Sequence, residues 1–336
     1  MANKKELLNK ANDYVNKNKF NKALKIYFEL AREGNTEALF KLGEAYSEGK
    51  GVERDLFKAS EYYRQAIDLG YTDVYGCLYV SYCELGREQS EYKERALKCL
   101  YEMMNIDDYN KAKASYIFCG MYLNGEEVEK DIEKAIEYGE FAISHGFDAY
   151  EDCADAYMEL GLKDKYIDCL ERGCRADCKE AKYRLANTYF KGEIVKKDLN
   201  KALQLSIECT HYYPDFYGIK SILLASNVCI ALCRYQDAYE WLNKLRYNSC
   251  ILYDTLSSEK IIIGYMHIYA ITREEKCVSA AEGQTKYMLD NSNLLDEDQY
   301  YALTLVAKLF SCTMQGKIKE YCDKWLADNK VDIERN

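Results

Sequence analysis

Between Ala38 and Gly70 the apolar and small residues fall into two stripes separated by a short polar break. Ala38, Leu42 and Tyr46 stand four apart, the spacing that places side chains on one face of an α-helix. The alanine permits a neighbouring helix to approach closely, and the tyrosine fills the space beside it. Gly49 lies just past the stripe, where a left-handed residue ends a helix at low cost. Val52 is an apolar plug beneath the break. Asp55 precedes the next stripe, placed to accept hydrogen bonds from the free amides of a helix start. Ala59, Tyr63, Ala66 and Gly70 then mark one face of a second helix. The predicted unit is helix, glycine-bearing loop, helix.

The same unit recurs without a gap. A shift of 76 residues carries Ala38, Tyr46, Gly49, Val52, Asp55, Ala59, Ala66 and Gly70 onto Ala114, Tyr122, Gly125, Val128, Asp131, Ala135, Ala142 and Gly146. A shift of 143 carries Ala38, Leu42, Tyr46, Gly49, Val52, Asp55 and Ala59 onto Ala181, Leu185, Tyr189, Gly192, Val195, Asp198 and Ala202. Shorter copies lie between these: 75–105 turns near Gly86, and 149–173 turns at Gly161. Residues 5–34 form another pair. Beyond Pro214 the signature fades while helix-pair patterning continues over 217–247, 257–290 and 297–328, which makes roughly nine pairs.

The run A-x-x-x-L-G-x-x-Y-x-x-G-x-G-V-x-x-D-x-x-K-A, carried by Ala38 to Ala59, resembles the Sel-one-like repeat, a branch of the tetratricopeptide-repeat superfamily. The second copy departs with Glu126 and Glu127 in place of Lys50 and Gly51, and the third has Ile194 in place of Gly51, so less regular loops are expected there. The resemblance implies an all-α, right-handed superhelical solenoid of antiparallel helix pairs. Its parts are expected as a tetratricopeptide-like pair over 1–35, a Sel-one-like array over 36–213 and degenerate pairs over 214–336. Within the array the long-loop units are 36–70, 112–146 and 179–213. It also implies an adaptor role in protein complexes.

Composition removes several alternatives. One proline in 336 residues suits uninterrupted helix. Lys and Arg total 46 against 56 Asp and Glu, and no basic run exceeds pairs such as Lys196-Lys197, which argues against nucleic acid as partner. The longest uncharged runs, 221–233 and 261–272, are too short to cross a bilayer. The opening ANKKELLNKAND has no apolar leader, and most of the 15 cysteines fall in helical stripes, so a reducing cytoplasm and no disulfide framework are expected. Cys229 and Cys233 read as core, and so does His267. His145 sits where a cation suits a helix C-terminus. Cys169, Cys174 and Cys178 lack zinc-site spacing and a nearby histidine, so no metal and no cofactor are expected. No phosphate-binding loop or nucleophile motif is present, and the chain is not expected to be an enzyme.

A stack of helix pairs buries its apolar faces only against its neighbours and so offers a long groove lined by first helices. First-helix positions outside the core are Lys41, Glu44 and Glu48 in one unit. The equivalents are Ile117, Gly120 and Asn124 in the next, and Arg184, Asn187 and Lys191 in the third. These are the expected partner-binding residues. The expected occupant is another protein or a peptide, including as a toxin-neutralising or regulatory binder, and the acidic balance suits a basic partner. Exposed tyrosines such as Tyr212-Tyr213 and Tyr300-Tyr301 would add interface area. The alternatives are a peptide or small-ligand sensor hinged near Pro214, or an enzyme with an active site in the C-terminal third.

Overall fold

The computed structural model describes residues 2–213, 215–245, 255–290 and 314–328, together with 303, 307, 310 and 311. The expected hinge at Pro214 and the Tyr300-Tyr301 pair lie outside the described residues. The fold is all-α: seventeen α-helices are described, in sequential antiparallel pairs, eight to nine of them. The chain divides into two compact units, Met1–Gly161 and Leu162–Asn336.

The first unit holds α1 (Ala2–Asn16), α2 (Phe20–Arg32), α3 (Thr36–Glu48), α4 (Leu56–Asp68), α5 (Tyr75–Gly86), α6 (Glu91–Met103), α7 (Asp108–Asn124), α8 (Ile132–Ser144) and α9 (Tyr150–Glu159). Each helix packs on the next in the chain. Ala11, Tyr27, Leu30 and Leu42 make one buried cluster, and Leu78, Leu100, Met103 and Phe118 anchor a second. Alanines at 38, 59, 66, 114, 135 and 142 are completely buried, as expected of residues that set how closely helices approach.

The second unit holds α10 (Lys163–Arg175), α11 (Lys179–Lys191), α12 (Leu199–Cys209), α13 (Phe216–Ala231), α14 (Tyr235–Leu245), α15 (Thr255–Thr272), α16 (Glu275–Asp290) and α17 (Gly316–Asp328). Leu170, Leu185, Ile222, Leu242 and Tyr265 are among its largest buried side chains. Two expectations fail here. His267 is exposed, because Tyr265 and Ile268 take the inward positions of its helix. Cys229 is buried, but Cys233 is exposed, with a left-handed φ of 59°, because α13 ends at Ala231 and the chain turns there.

The three long loops share one construction. Gly49, Gly125 and Gly192 end their helices in the left-handed region, at φ of 71°, 76° and 73°. The amide of Asp55 then donates to the Tyr46 carbonyl at 2.9 Å, Asp131 to Tyr122 at 2.9 Å and Asp198 to Tyr189 at 3.1 Å. Each aspartate side chain accepts from the amide three residues on: Lys58 at 3.0 Å, Lys134 at 3.0 Å, Lys201 at 2.9 Å. The ammonium groups of the same lysines lie over the rings of Tyr46, Tyr122 and Tyr189, at 5.4, 5.1 and 4.3 Å from their centroids. The second loop is therefore as regular as the first, whereas the third departs as expected at Ile194, which is not left-handed, and lacks the bond that the Lys50 and Glu126 amides donate to Ala45 and Met121. Glu127 takes φ +60° where Gly51 takes +78°, so the second loop keeps its path with a side chain in a conformation that glycine adopts more cheaply.

Candidate binding surface

In the first unit Lys41, Glu44 and Glu48 of α3 and Ile117 of α7, of the predicted residues, line two adjoining hollows. The first has a volume of about 420 Å³ and lies between α1, α2 and α3. Asn12 and Asn16 come from α1, Phe20 and Tyr27 from α2, and Glu37, Lys41, Glu44 and Glu48 from α3. Asn35 caps α3 by accepting from the Ala38 amide at 2.8 Å, which fixes the register of that acidic row. At its floor the Tyr27 hydroxyl donates to Asn12 Oδ1 at 2.5 Å. Burial, reinforced by Glu37 and Glu44, pushes the Tyr27 phenol up to about 12, so it stays a neutral donor throughout the physiological range.

The second hollow, about 560 Å³, lies across α3, α5 and α7. Glu44 and Glu48 form the wall it shares with the first. α5 adds Cys77, Val80 and Glu84, and α7 adds Lys113 and Ile117. Val80 is 54% exposed, although it sits in a helix whose neighbours Leu78 and Tyr82 are core. Most charges here are already engaged. Lys41 pairs with Glu44 at 2.7 Å, Lys50 pairs with Glu48, and Arg54 bridges from Glu84 to the Ser47 carbonyl, 2.9 Å from its Nε. Such half-exposed pairs contribute little to stability. The surface combines these charges with apolar patches at Val80 and Ile117.

The structure thus brings Lys41, Glu44, Glu48 and Ile117 onto one continuous surface. Gly120 lies on the same helix as Ile117, with Asp152 of α9 next to it. Asn124 is exposed at the end of α7, outside both hollows. Arg184, Asn187 and Lys191 lie on α11 of the second unit. Arg184 Nε donates to Glu180 at 3.2 Å, Asn187 is half-buried, and Lys191 is exposed. Asn12, Tyr27, Val80 and Glu84 were missed. They come from α1, α2 and α5, which lack the long-loop signature, so no repeat position marked them in advance.

The three cysteines of the cluster lie in α10 and at the start of α11. Cys169 is buried in α10, Cys174 is half-buried, and Cys178 caps α11, its sulfur accepting from the Ala181 amide at 3.4 Å. Among the described residues no three histidine, cysteine or acidic side chains converge as a metal set, and no helix is long and apolar enough to cross a membrane. His145 caps α8, its Nδ1 2.9 Å from the Phe141 carbonyl.

Residues 36–71, 114–147 and 179–207 each match the profile of the Sel1 repeat. Among solved structures, a Sel1 repeat protein from Oxalobacter formigenes is 20% identical over 66% of this chain and 89% of its own, with a TM-score of 0.51. A protective antigen of uropathogenic Escherichia coli displaying an SLR fold is 15% identical, over 94% of this chain and 84% of its own, with a TM-score of 0.39. No curated protein matches the chain.

Proposed function

We propose that this chain, which carries three Sel1 repeats, is a non-catalytic scaffold that holds another protein on the first-helix surface of residues 1–161. The observation that carries this reading is the pair of adjoining hollows spanning α1, α3, α5 and α7, with Glu44 and Glu48 as their common wall. Its mixture of ion pairs, tyrosines (Tyr27 in the first hollow, Tyr63 and Tyr79 in the second) and exposed Val80 supports this reading, since protein interfaces combine polar and aromatic groups. The repeat fold supports the same class of role, since stacked helix pairs expose much surface for their mass.

A photo-crosslinking residue at position 80, introduced into the full chain in its host, tests this directly. One predominant protein should be captured, and the charge reversal Lys41→Glu should deplete it. Crosslinks spread over abundant proteins in proportion to their amount, unchanged by Lys41→Glu, would reject the surface as a binding site. The triple reversal of Lys41, Arg184 and Lys191 extends the test to the second unit: a partner lost with all three but kept with Lys41→Glu alone would move the site to α11.

A further inference from the structure

We infer that the corner formed by α7, the turn at Phe147 and the start of α9 docks the cationic side chains of an arginine-rich segment of the partner protein. This deepens the proposed scaffold role and rests on it. Tyr109 and Tyr116 stand two helical turns apart on α7 and are 62% and 42% exposed. Both rings face Phe147, with centroids 5.7 and 6.3 Å away. Neither tyrosine belongs to the buried clusters of the unit, so the folded core does not account for them.

The other repeats show what such a corner holds. Seventy-six residues earlier, Phe40 and Tyr71 occupy the equivalent places, 5.9 Å apart, and the Lys41 ammonium lies 5.0 Å from the Phe40 centroid. In the third repeat Tyr183 is equivalent to Tyr116, and the Lys220 ammonium lies 5.6 Å from its centroid. The rings equivalent to Tyr116, namely Phe40 and Tyr183, thus each lie near a cation of the chain itself, although Lys220 lies nearer still to Phe216, at 3.8 Å. In the second repeat the residue equivalent to Lys41 is Ile117. Among the described residues no ammonium or guanidinium covers Tyr109, Tyr116 or Phe147. Among the described residues, Tyr116 is the one of the three equivalent rings without a cation of the chain beside it.

Charge points the same way. Residues 107–159 contain 14 Asp and Glu against 4 Lys, and the formal −10 of the chain resides entirely in residues 1–161. Asp148, Glu151 and Asp152 stand around Tyr116 and, after burial, are what raise its phenol. A guanidinium offers both a flat face for the rings and a fork for the carboxylates, which an ammonium does not.

The test uses the full chain and labelled peptides of alternating arginine and glycine, lysine and glycine, or glutamate and glycine, read by fluorescence anisotropy at low and physiological salt. The arginine peptide should bind most tightly, the glutamate peptide not at all, and added salt should weaken binding. Tyr109→Leu with Tyr116→Leu keeps apolar area while removing the phenol rings and should cost about tenfold in affinity. Ile117→Lys, which supplies the cation the first repeat has, should weaken binding to a similar extent, while circular dichroism stays unchanged. Peptide affinity that neither variant alters would overturn the inference. So would a dimer of the chain, in sedimentation, that Tyr116→Leu dissociates, since the corner would then serve a second copy. A partner captured at position 80 and retained by both variants leaves the scaffold reading standing and removes this one.

Discussion

The repeats of residues 36–70 and 112–146 close the same gap between their two helices from opposite sides. In the first, Gly43 on α3 leaves a slot, and Tyr63 of α4, 2% exposed, fills it so completely that a β-carbon at 43 would overlap the ring. In the second, the position of Tyr63 is taken by Gly139 on α8, and the position of Gly43 by Cys119 on α7. A β-carbon at 139 would overlap the sulfur of Cys153, with that of Cys119 close by. The third repeat takes a middle course with Ala186 and Ser206, both fully buried, the hydroxyl of Ser206 donating to the Ala202 carbonyl at 2.7 Å. Each repeat therefore keeps at least one of the two positions small, and which helix carries the larger side chain differs between copies, as close-packed interiors allow.

The largest effect should come from breaking this complementarity. Gly43→Cys alone places sulfur inside the Tyr63 ring and should lower stability by about 2–3 kcal/mol, at the upper end for overpacking. Tyr63→Gly alone empties the slot and should cost at least as much. The double substitution Gly43→Cys with Tyr63→Gly transplants the pair used by the second repeat. It should recover about 1–2 kcal/mol relative to the sum of the singles, a coupling of the size seen for residues in contact. Urea denaturation midpoints of the four proteins check it. Strict additivity would mean that the two positions are not coupled through the slot.

The loops sharpen the comparison on a smaller scale. Glu127 and Gly51 hold equivalent left-handed positions, but their surroundings differ. A β-carbon at Gly51 would come within 2.6 Å of Phe20 Cβ and 3.0 Å of Leu24 Cδ1, because α2 runs beneath the first loop. Glu127 instead extends into solvent and its carboxylate pairs with Lys93 at 2.7 Å, with both side chains nearly half exposed. Glu127→Gly should therefore raise stability by about 1 kcal/mol, since it relieves the left-handed strain and loses only an exposed ion pair. Gly51→Ala should destabilise by more than that, from strain and contact together. A thermal shift upward for the first variant and downward for the second is the expected result. A downward shift for both would show that the Lys93 pair matters more than backbone strain.

How much of this could be read beforehand follows from where the constraint lies along the chain. Ala38, Gly49, Asp55 and Ala59 each act on neighbours within one helix or one turn, so spacing alone exposed the helix pairs and their caps. Gly43 and Tyr63 act on each other across twenty residues, and Gly139 acts with Cys119 and Cys153. A position-by-position comparison of repeats registers those pairs only as mismatches. The same reasoning explains the hollows. Lys41, Glu44 and Ile117 were legible as outward positions of signature helices, whereas Asn12, Tyr27 and Val80 contribute through helices with no signature. Glu127 looked like a departure from the loop pattern because its residue type differs, although its backbone does not.

The smallest expected effect concerns the caps that the two repeats share. Asp55 and Asp131 accept from the amides of Lys58 and Lys134, and those amides, with the lysine ammonium groups, hold both carboxyls below the ordinary carboxylate range. A carboxyl whose value is lower in the folded than in the unfolded chain stabilises the fold fully above its unfolded value, near 4. That contribution disappears as pH falls through the lower folded value. The caps should thus loosen only in acid, below about pH 4. The substitution Asp131→Asn keeps a good capping oxygen but leaves no proton to gain. The variant should match the parent at pH 7 and lose less stability between pH 5 and 3. Asp55→Asn should behave alike, since the two loops share their hydrogen bonds. Amide exchange at Lys58 and Lys134 resolves the two caps separately, and an acid response confined to one would show that the loops differ in energy despite their common geometry.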